Sequence, residues 1–106
     1  MGINTGALTE AVYYILLSLT VPRHGYGIMQ NTEALSGGRV RLAAGTLYGA
    51  LTSLLDKGWI EALPGDTDSR KKEYIITDAG REILRAELAR LRELVENGTE
   101  ILGGEQ

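Results

Sequence analysis

Along residues 8–20 the apolar side chains Leu8, Val12, Ile15, Leu16 and Leu19 recur every three or four positions, the period of one helix face. Ala11 and Leu17 widen the stripe, which predicts a helix buried around much of its circumference. Thr9 or Thr5 is suited to cap its start. Pro22 is suited to end it, because proline pushes the preceding residue out of the helical region. Residues 25–36 predict a second, shorter helix with Ile28, Met29, Thr32 and Leu35 on a narrow apolar face. Ser36-Gly37-Gly38 stops it, since glycine tolerates the left-handed backbone at a helix end. Residues 39–42 alternate Arg, Val, Arg, Leu, which predicts a short strand with Val40 and Leu42 inward. A third helix is predicted over residues 45–57, with Leu47, Leu51, Leu54 and Leu55 on one face and Gly58 closing it.

Two β-prone runs, 59–63 and 70–77, flank the turn-rich Pro64-Gly65-Asp66-Thr67-Asp68-Ser69. They predict a hairpin with a long exposed loop, its first strand anchored to the core by Trp59. Thr77 or Asp78 caps a last helix through Glu96, with Asn97-Gly98 as its stop. Such a helix is a rod of about 28 Å. Leu84, Leu88, Leu91 and Val95 are spaced four, three and four apart, a heptad-like seam that Ile83 and Leu94 extend. The rod exceeds what one small domain needs for its own core, so the seam predicts a homodimer.

The order α-α-β-α-β-β-α is the plan of a winged helix-turn-helix, a mainly α fold with an α+β wing. Residues 1–78 would form the DNA-binding unit, and residues 79–106 the long C-terminal dimerisation helix and tail of the same structural domain. In this plan the third helix enters the major groove and the hairpin loop reaches the flanking backbone. The outward face of that helix offers Thr46, Tyr48, Gly49, Thr52, Ser53 and Lys57. Short side chains let a helix approach base edges, and hydroxyls donate to bases or phosphates. Arg70-Lys71-Lys72 follows the hairpin loop, where cations neutralise phosphates. A twofold dimer would set two such helices about one DNA turn, 34 Å, apart and would read a near-palindromic operator.

Composition narrows the alternatives. The chain has 106 residues, the size of one domain. Its net charge of −3 argues against a general polyanion binder, so the distribution of charge matters. Residues 39–78 balance six bases with six acids, whereas residues 79–106 carry four bases and six acids. Cysteine is absent and there is one histidine, which excludes disulfides, a thiolate zinc site and a multi-histidine metal site within one chain. No apolar run reaches the roughly 18 residues of a membrane span, and no signal peptide is expected. A cytoplasmic protein without cofactor is expected. Enzyme readings are poor: any serine–histidine–acid set would need His24, and no nucleophile elbow surrounds a serine.

The chain also resembles the PadR family of transcriptional regulators in its short-tailed form, with a single C-terminal helix. The resemblance is carried by Leu8-Thr9-Glu10-Ala11-Val12-Tyr13-Tyr14-Ile15-Leu16, Pro22-Arg23-His24-Gly25-Tyr26-Gly27-Ile28 and Ser36-Gly37-Gly38-Arg39-Val40-Arg41-Leu42. It continues through Gly45-Thr46-Leu47-Tyr48-Gly49-Ala50-Leu51, Gly58-Trp59-Ile60, residues 70–74 and Thr77-Asp78-Ala79-Gly80. It spans roughly residues 7–95; each motif is weak alone, and the ordered set is specific. It implies a DNA-binding homodimer, expected to be a repressor, with the first and last helices contributing to the interface. It also implies that some members take a small aromatic or hydrophobic effector near that interface. Tyr13 and Tyr14 are the candidates for such a pocket here, and ordinary packing or a dimer contact is the rival reading for both. The last helix holds no aromatic residue, so it offers no stacking site.

Two departures bear on DNA binding. Family members often carry proline before the Gly-Thr-Leu-Tyr motif, where this chain has Ala44, and Lys or Arg where it has Thr52 and Ser53. DNA affinity is therefore expected to lean on Arg39, Arg41 and the wing. Winged helices also serve as docking domains, so a protein-interaction module without DNA binding is the alternative reading, favoured slightly by the acidic balance. His24 reads as a turn or surface residue, and Tyr26 as packed beneath the second helix. Asp66-Thr67-Asp68-Ser69 reads as a turn rather than a calcium loop, because the distal bidentate glutamate is missing.

Overall fold

The computed structural model describes residues 6–64 and 71–103. Its elements in chain order are α1 (Glu10–Ser18), β1 (Arg23–His24), α2 (Gly25–Leu35), α3 (Ala44–Asp56), β2 (Ile60–Ala62), β3 (Glu73–Ile76) and α4 (Asp78–Gly103). The three strands form an antiparallel sheet in the order β1-β3-β2. Ile15, Leu16 and Leu19 from the first helical segment, Ile28 from α2 and Leu47, Leu51 and Leu54 from α3 make the core. Ile60, Tyr74 and Ile76 close it from the sheet and Leu84 from α4.

Local chemistry explains the boundaries. Thr9 caps α1 by accepting the Val12 N–H at 3.1 Å. The helix ends at Ser18, four residues before Pro22, rather than at the proline. Leu19 is fully buried, and its carbonyl accepts the Ile76 N–H at 2.8 Å, so tertiary pairing ends the helix first. Ser18 ties α1 to α2: its hydroxyl donates to the Tyr14 carbonyl and accepts from Asn31 Nδ2 at 2.9 Å. His24 caps α2, with Nδ1 accepting the Gly27 N–H at 3.2 Å. Gly37 and Gly38 follow α2 with φ of +64° and +85°, a left-handed turn that a side chain would strain.

Three expectations are corrected. Residues 39–42 form no strand; they run as a linker in which the Val40 N–H donates to Ser36 Oγ at 2.9 Å. Leu42 still packs against the core, but the free edge of β3 is taken by Arg23 and His24, paired with Tyr74 and Glu73. Leu55 lies outside the core on the partly exposed flank of α3. The last helix does not stop at Asn97-Gly98 but continues to Gly103, 26 residues in all. One glycine costs a helix only about 1 kcal/mol, too little to end a favourable run.

One junction aims α4. The Thr77 N–H donates to the Trp59 carbonyl at 3.0 Å and the Thr77 hydroxyl to the Gly58 carbonyl at 2.7 Å. The same hydroxyl accepts the Gly80 N–H, capping α4 at 3.1 Å. Gly80 lies against the Trp59 carbonyl oxygen and Ile76, so a Cβ there would overlap backbone. α4 then leaves the body of a molecule 57 Å long and 28 Å wide. Gly80→Ala should therefore destabilise the fold by about 1–3 kcal/mol through overpacking, read as a lower unfolding midpoint in calorimetry. Gly49→Ala, whose Cβ would meet open space in α3, should instead raise stability by about 0.5–1 kcal/mol. Equal effects from the two substitutions would refute this account of the junction.

Candidate nucleic-acid interface

α2 and α3 form the helix-turn-helix, and α3 presents its polar side to solvent while Leu47, Leu51 and Leu54 face the core. At 100° per residue the exposed side divides into two flanks. Tyr48 and Thr52 lie on one, Thr46, Ser53 and Lys57 on the other, and Gly45, Gly49 and Asp56 run between them. Both glycines leave open space where a Cβ would be, so no packing among the described residues requires them. Asp56, unremarked in the sequence, puts an acid near the C-terminal end of this face; the 100° wheel alone identifies it.

Tyr48 is partly exposed, and its hydroxyl packs on Gly25 at the start of α2. It also adjoins Tyr74 of β3, whose phenol is held above its ordinary pKa by burial first and by Tyr48 second. The residue therefore links α3, α2 and the wing sheet. Thr52 Oγ1 donates to the Tyr48 carbonyl at 3.0 Å, which occupies its proton within the helix. Ser53 and Lys57 turn away from this cluster into a groove with Val12 and Trp59, where Lys57 Nζ lies 4.8 Å from the Trp59 ring centroid. Thr46 is exposed on the first turn of α3. That turn has no side-chain cap, because Ala43 occupies the N-cap and Ala44 the first helical position.

Tyr26 is corrected: it is 64 % exposed on the first turn of α2, beside Gly25, and does not pack beneath the helix. The basic residues are distributed unevenly. Arg39 is ion-paired with Glu10, which through its hydrogen bond raises the arginine pKa, and Arg41 lies 3.8 Å from Glu33. Both arginines are exposed, so neither pair is locked. On the wing Lys71 is exposed and Lys72 half-buried. Arg70 and the turn at Asp66–Ser69 lie outside the described residues. Among the described residues no group of His, Cys, Asp and Glu could hold a metal, and no helix is long and apolar enough to cross a membrane.

The seam of α4 divides between two environments. Leu84 is buried in this chain's own core and Ile83 packs against it. Leu88, Leu94 and Val95 are exposed, Val95 at 65 %, and Leu91 is half-buried. The four-three-four spacing continues through Gly98 to Leu102, and Ile101 and Leu102 are exposed as well. Tyr13 and Tyr14 stand edge to face with centroids 6.0 Å apart and line a groove of about 310 Å³ with Leu91 and Arg90. Beside it Glu87, 4 % exposed, holds Arg90 through two bonds of 2.8 Å and accepts the Leu8 N–H at 3.2 Å. Sequence reading missed Glu87. Its signal was a carboxylate inside an apolar stripe with arginine three positions on.

Two antiparallel strands with a connecting loop, set behind a helix-turn-helix, define a winged helix. Residues 14–86 match the model of the PadR-like family of transcriptional regulators, and the chain belongs to that family. It is similar to a PadR family transcriptional regulator from Eggerthella lenta, at 26% identity over 86% of this chain and 80% of that one, with a TM-score of 0.69. RosR of H. salinarum is 26% identical over 93% of this chain and 96% of its own, with a TM-score of 0.66. A 37.1 kDa transposon protein of Streptomyces fradiae is 41% identical over 66 residues, 62% of this chain, which spans 18% of that relative's length.

Glu87 supplies a pH prediction. The Arg90 hydrogen bonds, with the Leu8 N–H, hold its carboxyl below the usual value of 4.5, against the opposing effect of burial. A depressed folded-state pKa stabilises the fold above the unfolded value and is lost as pH falls through the folded one. Glu87→Gln should thus lower the unfolding midpoint at neutral pH, and the deficit should shrink below about pH 4.5. A deficit that stays constant down to pH 3, measured by thermal circular dichroism, would remove this role.

Proposed function

We propose that the protein is a sequence-specific DNA-binding regulator acting as a homodimeric repressor, with a small aromatic or hydrophobic effector relieving repression. The observation that carries DNA binding is the exposed α3 face flanked by Tyr48 on one side and adjoining a wing that bears Lys71 and Lys72. In this reading Thr46, Tyr48 and Thr52 approach base edges across the small Gly45 and Gly49, and the N-terminal half of α3 enters the major groove. Ser53 and Lys57 serve the flank, while Arg70, Lys71 and Lys72 hold the phosphate backbone. Arg39 and Arg41 contribute by exchanging Glu10 and Glu33 for phosphates.

The dimer uses α4. Leu88, Leu91, Leu94 and Val95 pair with a second copy, while Ile83 and Leu84 fasten the helix to its own core. Tyr13 and Tyr14 stand beside Leu91 and border this interface, which supports their place in an effector pocket. The resulting operator is near-palindromic, with half-sites about 34 Å apart. The docking-module reading draws on one observation, the pairing of Arg39 and Arg41 with acids of their own chain.

Fluorescence anisotropy against the chain's own upstream DNA and a scrambled duplex tests the DNA reading. Preference for the upstream duplex, falling steeply from about 50 to 200 mM salt, is expected. Lys71→Ala with Lys72→Ala should weaken binding to every duplex and flatten the log–log salt slope by about 1 unit per lost contact. No preference at any salt, with capture of a protein partner, would favour the docking module instead. Multi-angle light scattering at micromolar concentration should give twice the chain mass. Leu94→Glu with Val95→Glu should return a folded monomer, and a wild-type monomer would sink the dimer.

A further inference from the structure

Two side chains on one flank of α3 have their polar groups engaged inside the chain. Thr52 Oγ1 donates to the Tyr48 carbonyl at 3.0 Å, the bond to the preceding turn that threonine makes within a helix. The hydroxyl is thereby turned to the backbone, and an exposed Thr52 meets a visitor with its methyl. The Tyr48 hydroxyl packs on Gly25 at the start of α2. Tyr48 is 38 % exposed, and with its hydroxyl laid against α2 the ring is its main contribution to the flank it shares with Thr52. One turn apart, the two residues present mostly carbon.

The sequence and charge of α3 narrow the partner. Ala44–Asp56 contains no arginine, lysine, asparagine or glutamine, the residue types that pair bidentately with guanine or adenine in the major groove. Asp56 is exposed one turn beyond Thr52, and its charge opposes a phosphate there, which leaves a base edge as the neighbour of Thr52. Base edges in the major groove carry hydrogen-bonding groups and a single apolar group, the 5-methyl of thymine. A flank of methyl and ring carbon is complementary to that methyl.

We infer that Thr52, beside Tyr48, is a specificity-determining residue that reads a thymine 5-methyl group by apolar contact. The inference rests on the DNA-binding reading and names the chemistry that α3 would read in each half-site: a thymine in register with Thr52. The Thr52 hydroxyl has a different task, holding the side chain in place through the Tyr48 carbonyl.

A duplex motif is selected by the full chain from a randomised pool. Each of its thymines is then replaced singly by deoxyuridine, which removes only the methyl. One thymine in each half-site should lose about threefold in affinity when replaced, the loss expected for one buried methyl. Thr52→Ser keeps the hydroxyl and removes the methyl, and should bind the thymine and uracil forms equally. Thr52→Val keeps a methyl and removes the hydroxyl, and should retain the difference. Thr52 is exposed, so neither substitution touches the core, and each variant is first shown to melt like the wild type. A motif in which no single thymine is sensitive would overturn the inference, as would a difference that survives Thr52→Ser or disappears in Thr52→Val. A small loss spread evenly over all thymines reports DNA shape instead of contact, and overturns it too. The two readings fail differently: a selection that enriches no motif, with no binding at low salt, defeats DNA binding and this inference together. An enriched motif without a localised methyl effect defeats this inference alone.

Discussion

The contact of Gly80 with the Trp59 carbonyl is the constraint on which the rest of the architecture depends. Thr77 makes that contact possible by bonding to both Gly58 and Trp59 while capping α4. Three elements therefore meet at one point: the end of α3 with its following turn, the last residue of β3 and the first turn of α4. The direction of α4 follows from this junction. So does the division of its apolar stripe, in which Leu84 reaches the core and Val95, a further three turns on, does not. The same geometry brings Ile83 beside Trp59 and Lys57, creating the groove at the base of α3. The docking of Leu84 into the core and the exposure of the far half of α4 are consequences of one close backbone approach that only glycine permits.

Much of this was legible in the chain. The buried leucines of α3, the Thr9 cap and the glycine turn after α2 are local signals, set by side-chain periodicity and backbone freedom within a few residues. The errors share a different cause. Arg23 and His24 form a strand of two residues, too short for any alternation, and they pair only because β3 offers an edge. That pairing is non-local, and it displaces the strand that the alternation at 39–42 suggested. α4 continues past Asn97-Gly98 because one glycine is a weak local stop, costing a helix only about 1 kcal/mol. Glu87 was hidden because a carboxylate on an apolar face reads as exposed until its partners, Arg90 and the Leu8 N–H, are seen together. The candidate site was legible as a set of residue types but not as a surface. Helical geometry separates Tyr48 and Thr52 from Ser53 and Lys57, which the sequence placed on one outward face.

Charge is arranged by position more than by amount. Arg39 and Arg41 sit near α1 and α2, where Glu10 and Glu33 already offset them. Exposed ion pairs of this kind contribute little to stability, typically about 0–1 kcal/mol. They are correspondingly easy to exchange for another anion. On the wing Lys71 is exposed and Lys72 half-buried, and among the described residues neither is ion-paired. An acidic protein can present a basic edge in this way, and its long-range repulsion of polyanions then favours contacts made in a particular orientation over loose association.

α3 itself is weakly specified by its own sequence. Its start lacks a capping side chain, its first helical residue is alanine rather than proline, and Gly45 and Gly49 each reduce its intrinsic helicity. Burial of Leu47, Leu51 and Leu54 must supply the missing stabilisation. Leu54 also forms a wall of the groove beneath Lys57. Such a helix depends on tertiary support more than one with strong caps and high propensity, because less of its order is secured locally. The two glycines then have opposed effects: they weaken the helix while leaving its exposed side shallow. Among the described residues nothing packs against the position of a Cβ at either glycine, so both lower the helicity of α3 without an offsetting contact inside the fold.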